Sequence, residues 1–414
     1  MAIGFMALAT FQGYLEDLIG GQIEMNFARN MLGDFMVRKV GAGTTEAMVR
    51  PDKFWIDPAD QAFVDGWVKQ HPTEVKAAMR SLMVPGVANA GSSSAAFLAI
   101  GHDVAQGRIL RRNWAFNTWA GRPVKDDEPT GVILGLGLGR MLGCEPTSKE
   151  QVFDPRTALI VAKERPMQCK SATLSLVGSS ATGRVNAVDG DVVGLSSGQV
   201  REFDNQMLWA PLKLVQDMAG TTSVDGYQVL LNDKTQAVAI RDLMRQDAAK
   251  AGRTLNIVLW QDTEMADLFK RGTDLMSTYR SLVVFVLMAI AGTAVLTTMA
   301  KTVRERTREI GTLRSLGFRK WQMLMMFVLE AAVLALLSGV VGAIGAMGLR
   351  LGVNSLGVTY RAGLLAEDIM LSIGWSARTY VSGFVFLTTV AVVAAWIAAR
   401  GVVKMKVAQA LVDG

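Results

Sequence analysis

Proline, histidine, cysteine and charged residues are all scarce in this chain of 414 residues. There are ten prolines and no low-complexity tract, which argues against a disordered chain. Charged residues make up 19% of the sequence and hydrophobic residues 50%, whereas soluble domains carry about a quarter charged residues. The composition therefore favours a membrane protein, and the length leaves room for a large domain beside several membrane spans.

The two histidines and two cysteines restrict the catalytic and metal chemistry open to the chain. His71 and His102 do not form a His-Glu-x-x-His pair, and the distant cysteines do not complete a zinc-ligand spacing. Asp103 beside His102 is more typical of a turn than of a general base. Because no nucleophile pairs with a base, we expect no catalytic residue and no metal site, and a membrane protease or esterase is disfavoured.

A nucleotide-binding loop is also missing from the sequence. The P-loop pattern G-x-x-x-x-G-K-[ST] occurs nowhere, so we expect no cofactor to be bound by this chain. Gly135, Gly137 and Gly139 resemble a dinucleotide loop, but Arg140 occupies the place of its third glycine. These glycines instead predict a strand that passes close to a short helix.

The formal net charge of +6 is concentrated in two short segments. Residues 301–320 hold seven basic against two acidic residues, and residues 400–414 hold three basic residues against one acidic residue. Each segment adjoins an apolar run, which is the distribution of cytoplasmic loops in membrane proteins rather than of a nucleic-acid-binding face. The two segments therefore predict the cytoplasmic side, and no nucleic acid is expected as a partner.

Apolar runs predict four membrane spans, since about 20 apolar residues cross a bilayer as a helix. Residues 281–300 are uncharged, and Glu330 is the one ionisable residue in the longer run 321–349. The predicted divisions are a first span over 1–19, an external domain and stalk over 20–280, a second span over 281–300, a cytoplasmic coupling helix over 301–320, a third span over 321–349, an external loop over 350–378, a fourth span over 379–399 and a cytoplasmic tail over 400–414.

The apolar run at the start of the sequence is short and ends at Glu16 and Asp17. Without a basic n-region or a small-residue cleavage site it does not fit a signal peptide. It fits the outer half of a truncated first span, which predicts a functional form beginning about 15–25 residues upstream. A short buried helix of a soluble domain is the alternative.

The external region reads as a large α+β domain. Residues 72–74 followed by an apolar face over 75–82 predict a helix, and residues 158–162 and 174–177 predict strands. A strand over 227–231, a helix over 237–244 and a strand over 255–259 predict a β-α-β unit. A helix that starts near Asp262 is expected to continue unbroken into the second span.

Cys144 and Cys169 both fall in this external domain. Outside an inner membrane the compartment is oxidising, so a disulfide between them is reasonable and would stabilise the domain by roughly 3 kcal/mol. Two unpaired buried thiols are the alternative.

The basic segment 304–318 reads R-E-R-T-R-E-I-G-T-L-R-S-L-G-F and has an apolar helical stripe at Ile310, Leu313 and Leu316. Such a helix either rests on anionic lipid at the membrane surface or docks a cytoplasmic partner. Composition does not separate these two interpretations.

The same string, followed by a glycine-rich span that contains F-V-L-E-A, resembles the FtsX-like permease family of ABC-transporter membrane subunits. The resemblance is closest to lipoprotein-release (LolC/LolE-type) and macrolide-exporter (MacB-type) permeases. Weaker similarity lies in G-D-F-M-V-R-K from Gly33, V-I-L-G-L-G-L-G-R-M-L-G from Val132, L-V-G-S-S-A-T-G from Leu176 and F-D-N-Q-M-L-W-A-P-L from Phe203.

This resemblance implies an α-helical membrane protein with four transmembrane helices and a large α+β periplasmic domain, in the bacterial inner membrane. It implies a dimer with a second copy or a paralogue, a separate cytoplasmic ABC ATPase that binds ATP and Mg, and a possible periplasmic chaperone or adaptor. The residues that would meet the ATPase or shape its docking segment are Arg304, Glu305, Arg306, Arg308, Glu309, Ile310, Gly311, Leu313, Arg314, Leu316 and Gly317.

Two further features lie within the third span. Glu330 is an intramembrane carboxylate, for which a role in helix packing or at an interface is favoured over transport chemistry. A surface of small residues suits close helix contact, either within the subunit or at a dimer seam. Its members are Ser338, Gly339, Gly342, Gly345 and Gly348.

The expected function is movement of lipoprotein or another lipid-linked cargo, driven by ATP hydrolysis in the partner. Drug or peptide efflux is open within the same class. A non-transporting transmitter that controls a periplasmic cell-wall hydrolase is the alternative from another class, and membrane lipid is a partner in every case.

Overall fold

The computed structural model describes residues 2–111, 120–147, 166–179, 185–196, 201–306, 309, 312–313, 315–360 and 369–403. Contacts between residues divide the chain into two compact units. The helical unit comprises Met1–Gly21, Gly272–Val358 and Met370–Gly414, and the sheet unit comprises Gln22–Arg271 and Thr359–Ile369.

The helices range from a single turn to 42 residues. They are α1 Ala2–Arg29, α2 Thr45–Val49, α3 Pro58–Gln70, α4 Val104–Arg111, α5 Leu136–Met141, α6 Arg201–Asp204, α7 Leu212–Ala219, α8 Ala237–Lys250, α9 Glu264–Glu305, α10 Lys320–Leu356 and α11 Ala377–Val403.

In the described part of the chain, three stretches are long and apolar enough to cross a membrane: Asp274–Thr302 in α9, Lys320–Leu356 in α10 and Ala377–Arg400 in α11. They contain the second, third and fourth predicted spans. Helix α1 is not among them, so the four-span count stays a prediction. Helix α9 is continuous from Glu264, as the sequence predicted.

Helix α10 extends past the end of its predicted span and finishes at Leu356. Its last turns are held by two polar side chains, because Arg350 and Asn354 both donate hydrogen bonds to the carbonyl of Ile373, at 3.0 and 3.2 Å. Gly357, with φ +59°, ends the helix in the left-handed region that glycine adopts without strain.

Alanines bring α9, α10 and α11 together in the helical unit. Val295 of α9 is buried beside Ala331 and Ala335 of α10 and Ala391 and Ala395 of α11. Side chains this small let helix backbones approach closely, which is how helices associate where no water drives them together.

The strands of the structure are β1 Phe35–Lys39, β2 Val75–Ala90, β3 Ser93–His102, β4 Ala120–Gly121, β5 Gly131–Gly135, β6 Cys144–Pro146, β7 Met167–Cys169, β8 Thr173–Ser179, β9 Val185–Ser196, β10 Met207–Pro211, β11 Gly226–Leu231, β12 Leu255–Leu259, β13 Thr359–Tyr360 and β14 Ile369–Met370. A mixed sheet has the order β12-β1-β11-β2-β3-β10-β5-β9-β4, and β8 pairs with β2 and β9.

The predicted β-α-β unit is confirmed as β11, α8 and β12. Ile240, Met244 and Ala248 form the buried face of α8. Strand β1 lies between β11 and β12 and pairs antiparallel with both, so the two strands of the unit are not neighbours. Strand β8 confirms the prediction over 174–177, whereas 158–162 lies outside the described residues.

The helix predicted over 75–82 is wrong, because this stretch begins the long strand β2. Val75, Ala77 and Met79 are buried at every second position, which is the period of a strand. Pairing with β11 on one side and β3 on the other satisfies the backbone of β2. Tertiary pairing therefore overrides the apparent helix start at Pro72.

The glycine run after β5 allows the close passage that the sequence predicted. A side chain on Gly135 would collide with the carbonyl oxygen of Asp204, and one on Gly137 would collide with the side chain of Asn205. A Cβ atom on Gly139 would lie 2.7 Å from a methyl group of Leu195. These glycines pack β5 and α5 against their neighbours.

Candidate coupling site

The basic segment after α9 carries the candidate ATPase-coupling residues. Arg304 and Glu305 end α9, Arg306 follows in a turn, and Glu309 and Leu313 have helical backbone. Leu316 and Gly317 form the turn before α10. Arg308, Ile310, Gly311 and Arg314 lie outside the described residues, so their predicted roles stay predictions.

Gly317 ends the segment with φ +97°, a conformation that L side chains rarely adopt. The amide of Phe318 donates to the carbonyl of Leu313 at 3.2 Å, and that of Leu316 donates to Thr312 at 3.1 Å. This six-to-one hydrogen bond around a left-handed glycine is the Schellman ending of a helix. The sequence there dictates a sharp stop and a turn.

Helix α10 begins directly after this turn. The side-chain oxygen of Gln322 accepts a hydrogen bond from the amide of Arg319 at 2.8 Å, and the amide of Gln322 donates back to the carbonyl of Arg319 at 3.0 Å. These bonds occupy backbone groups that a helix start leaves unpaired. Hydrogen bonds therefore fix the backbone both before and after the turn at 316–319.

The two leucines of the segment have different surroundings. Leu313 is partly buried and packs against Met323, Phe327 and Ala399. Leu316 is 76% exposed. Leu313 contacts residues of both α10 and α11, so it also contributes to the packing of these helices. Among the described residues of the segment, Leu316 and Phe318 are the large apolar side chains exposed to solvent, and Leu316 is the more exposed of the two.

Arg306 and Glu330 form an ion pair between the basic segment and α10. The guanidinium Nη1 of Arg306 lies 3.4 Å from Oε2 of Glu330, with side-chain exposures of 45% and 30%. A carboxylate within an apolar helix is costly unless it is paired, so this contact compensates Glu330. Both residues were candidates from the sequence, but their ion pair was not predicted. A single acid within an apolar run, close to several arginines, is the pattern from which it could have been.

The predicted small-residue surface of α10 faces other helices of the same chain over most of its length. A Cβ atom on Gly342 would lie 2.6 Å from the carbonyl oxygen of Ala2, and one on Gly339 would collide with the ring of Phe384. A Cβ atom on Gly345 would lie 2.9 Å from the sulfur of Met6.

The ends of that surface are looser. No atom of the described residues lies within 4 Å of a Cβ atom built on Gly348. Ser338, at the other end, is half-buried. The arrangement accounts for Gly339, Gly342 and Gly345 by packing within the subunit, and it leaves Gly348 open to a further contact.

The cysteines and the histidines belong to the sheet unit. Cys144 and Cys169 are opposite each other on the paired strands β6 and β7, and their sulfur atoms are joined in a disulfide. Asp103 accepts hydrogen bonds from Arg80, the shortest at 2.8 Å, which is a structural ion pair.

His102 is 6% exposed and lies against Gly107 in the core. Burial, with a further contribution from the charge of Arg111, lowers the pKa of His102 to about 4. The imidazole is therefore neutral near pH 7, as expected for a packed core residue.

Comparisons with known proteins bear directly on this segment. Residues 281–407 match the family model described as FtsX-like permease C-terminal. Over these residues the chain is similar to the C-terminal part of FtsX-like permeases. The FtsX-like region contains every candidate coupling residue, Glu330 and the small-residue surface.

Curated relatives extend the similarity at low identity. The probable syringafactin export ATP-binding/permease protein SyfD of Pseudomonas syringae pv. syringae is 24% identical over 224 residues, which are 53% of this chain and 33% of that protein. The macrolide export ATP-binding/permease protein MacB of Acinetobacter baylyi is 23% identical over 345 residues, 81% of this chain and 49% of that protein. The chain thus spans between a third and a half of the length of these relatives.

One solved structure similar to this chain is the periplasmic region of MacB from Actinobacillus actinomycetemcomitans. It is 15% identical, with a TM-score of 0.37, and the match covers 59% of this chain and 95% of that one.

Proposed function

We propose that this chain is the permease subunit of an ABC transporter, and that residues 304–317 dock a separate cytoplasmic ATPase. The observation that carries the proposal is the exposed Leu316 beside basic side chains, held by the Gly317 turn within the FtsX-like region. An apolar side chain ringed by charge is the usual composition of a protein-binding patch.

The proposed orientation follows the positive charge. Residues 301–320 and 400–414 lie in the cytoplasm of a bacterial inner-membrane protein, and the sheet unit lies in the periplasm. On this topology α1 is a fourth span. The continuous helix α9 supports a mechanical role, because an unbroken helix transmits a displacement from its cytoplasmic end along its whole length.

The proposed cargo is a lipoprotein or another lipid-linked molecule, moved by a dimer of two permease chains with a periplasmic chaperone or adaptor. The similarity to lipoprotein-release permeases in the sheet unit supports this choice. Efflux of a drug or peptide is the second candidate, favoured by relatives whose names describe macrolide and syringafactin export. Control of a periplasmic cell-wall hydrolase is the third.

The test begins with co-expression of the full chain and the ABC ATPase encoded beside its gene. ATP hydrolysis that depends on both proteins in proteoliposomes supports the permease assignment, and its absence contradicts it. Release of a fluorescent lipoprotein to a soluble acceptor then separates lipoprotein transport from efflux of a labelled macrolide. Hydrolysis without movement of either cargo favours the transmitter.

A further inference from the structure

A polar cleft of about 460 Å³ lies within the helical unit, where α1, α9 and α11 meet. Its volume is sufficient for several water molecules or for a headgroup-sized ligand. The residues of the cleft that matter here are Gln12, Glu16, Arg280, Arg378, Thr379 and Ser382.

The cleft has a net positive charge. Among the described residues, no carboxylate lies within ion-pair distance of Arg280 or Arg378. Glu16 is already engaged, because it accepts a hydrogen bond from the hydroxyl of Thr379 at 2.6 Å. The side-chain oxygen of Gln12 is buried without a hydrogen-bond partner in the described part of the chain. The two arginines, which have no carboxylate partner among the described residues, suit an anion.

Both arginines lie at the same boundary of the apolar layer. Arg280 immediately precedes the uncharged run 281–300, and Arg378 comes three residues before the run 381–399. Arg378 also lies in the first turn of α11, where exposed amides and the helix dipole favour negative charge. This boundary is the level at which lipid phosphates lie in a bilayer.

A separate apolar crevice lies along the same three helices. It is narrow, with a volume of about 20 Å³, and is lined by Leu8 of α1, Leu287 of α9 and Phe386 of α11, among others. Leu8 is four residues from Gln12, and Phe386 is four residues from Ser382, so each pair lies on one helix face. The polar cleft and the apolar crevice thus follow one another along the same three helices, in the order of the headgroup and hydrocarbon of an amphiphile.

We propose that the cleft binds the phosphate headgroup of an outer-leaflet phospholipid, with Arg280 and Arg378 donating to the phosphate. The proposal rests on the orientation given under the proposed function, and it specifies the lipid partner of this helical unit. Arginine suits the role because its planar donors bind phosphate oxygens in pairs.

The test is native mass spectrometry of the full-length chain in detergent, titrated with phosphatidylglycerol. We expect Arg280→Gln and Arg378→Gln each to weaken binding of the first lipid about tenfold, since each removes a charge-assisted hydrogen bond. Arg271→Gln is the matched control, because Arg271 lies on the same helix but outside the cleft, and it should bind like the wild type. Arg378→Lys should retain most of the affinity.

Two further probes identify the ligand chemistry. Diacylglycerol, which lacks the phosphate, and glycerol 3-phosphate, which lacks the chains, should both bind more than tenfold more weakly than phosphatidylglycerol. Equal binding of either probe overturns the proposal, as does unchanged lipid affinity in both glutamine variants. If Arg280→Gln does not fold, the comparison uses Arg378→Gln, because Arg378 is exposed and its replacement should not disturb the fold. Retention of the ATPase, measured in the same preparations, tests the permease assignment separately.

Discussion

The guanidinium of Arg306 and the carboxylate of Glu330 lie 3.4 Å apart and join the basic segment to the interior of α10. If residues 304–317 dock an ATPase, as proposed, a displacement of the segment acts on α10 through this pair as well as through the chain. Since α10 packs on α11 and α9, the contact connects the docking surface with all three apolar helices.

A double-mutant cycle measures this connection. We expect Arg306→Gln and Glu330→Gln to show a coupling energy of about 0.5–1 kcal/mol in the free energy of unfolding, the range for partly exposed pairs. The measurement is unfolding of the chain in mixed micelles titrated with sodium dodecyl sulfate. Strictly additive effects of the two substitutions would contradict the pairing.

Two glycines of α10 should respond in opposite directions to the same substitution. Gly342→Ala should destabilise the chain by about 1–3 kcal/mol, because the new methyl group meets the backbone of α1. Gly348→Ala should stabilise it by up to about 1 kcal/mol, because it gains helix propensity in open space. Thermal unfolding in detergent measures both, and a stable Gly342→Ala variant would show that α1 does not pack there.

The disulfide should be present in protein isolated from cells. Alkylation without reduction is expected to label neither Cys144 nor Cys169, and reduction should expose both. Replacing both cysteines by serine should cost about 3 kcal/mol, since the bridge closes a loop of 25 residues. Labelling of both thiols in the native, unreduced protein would rule the bridge out.

The buried His102 should make the sheet unit sensitive to acid. Its folded-state pKa of about 4 is below the ordinary value of 6.5, so the unfolded chain binds the proton more readily. The stability it contributes is complete above pH 6.5 and is lost as the pH falls towards 4, by up to about 3 kcal/mol. His102→Gln, which does not titrate, should show a correspondingly flatter dependence between pH 6.5 and 4. Parallel pH profiles for the variant and the wild type would contradict this assignment.

Sequence patterns predicted the three long apolar helices and the β-α-β unit well, because their signals lie within single segments of the chain. The apolar runs in α9, α10 and α11 and the β-α-β unit at 226–259 follow from periodicity and length. The strand β2 was missed because its partners, β3 and β11, lie on both sides of it in space and not beside it in the pattern. The helix start inferred at Pro72 was a local signal that pairing in the sheet overrode.

The candidate site was predictable in position but not in its contacts. The segment 304–317 can be recognised from its sequence motif. The burial of Leu313 against Ala399, in contrast, depends on helices that are far apart in the chain. The same holds for the Arg306–Glu330 pair and for the cleft between Arg280 and Arg378. Each arises where separate helices meet, which no single-segment pattern encodes.

The most direct test of the docking assignment compares two leucines near the opposite ends of α10. Leu316 and Leu356 are 76% and 75% exposed, and in the proposed topology they face opposite sides of the membrane. Aspartate at either position should leave the fold intact. A carboxylate buried at an apolar contact costs several kcal/mol unless it is paired, so only Leu316→Asp should disrupt docking.

The measurement is co-purification of the ATPase with each full-length variant, with membrane insertion measured as the control. The account predicts at least tenfold less ATPase with Leu316→Asp and wild-type recovery with Leu356→Asp. Wild-type recovery of the ATPase by a correctly inserted Leu316→Asp variant would contradict it.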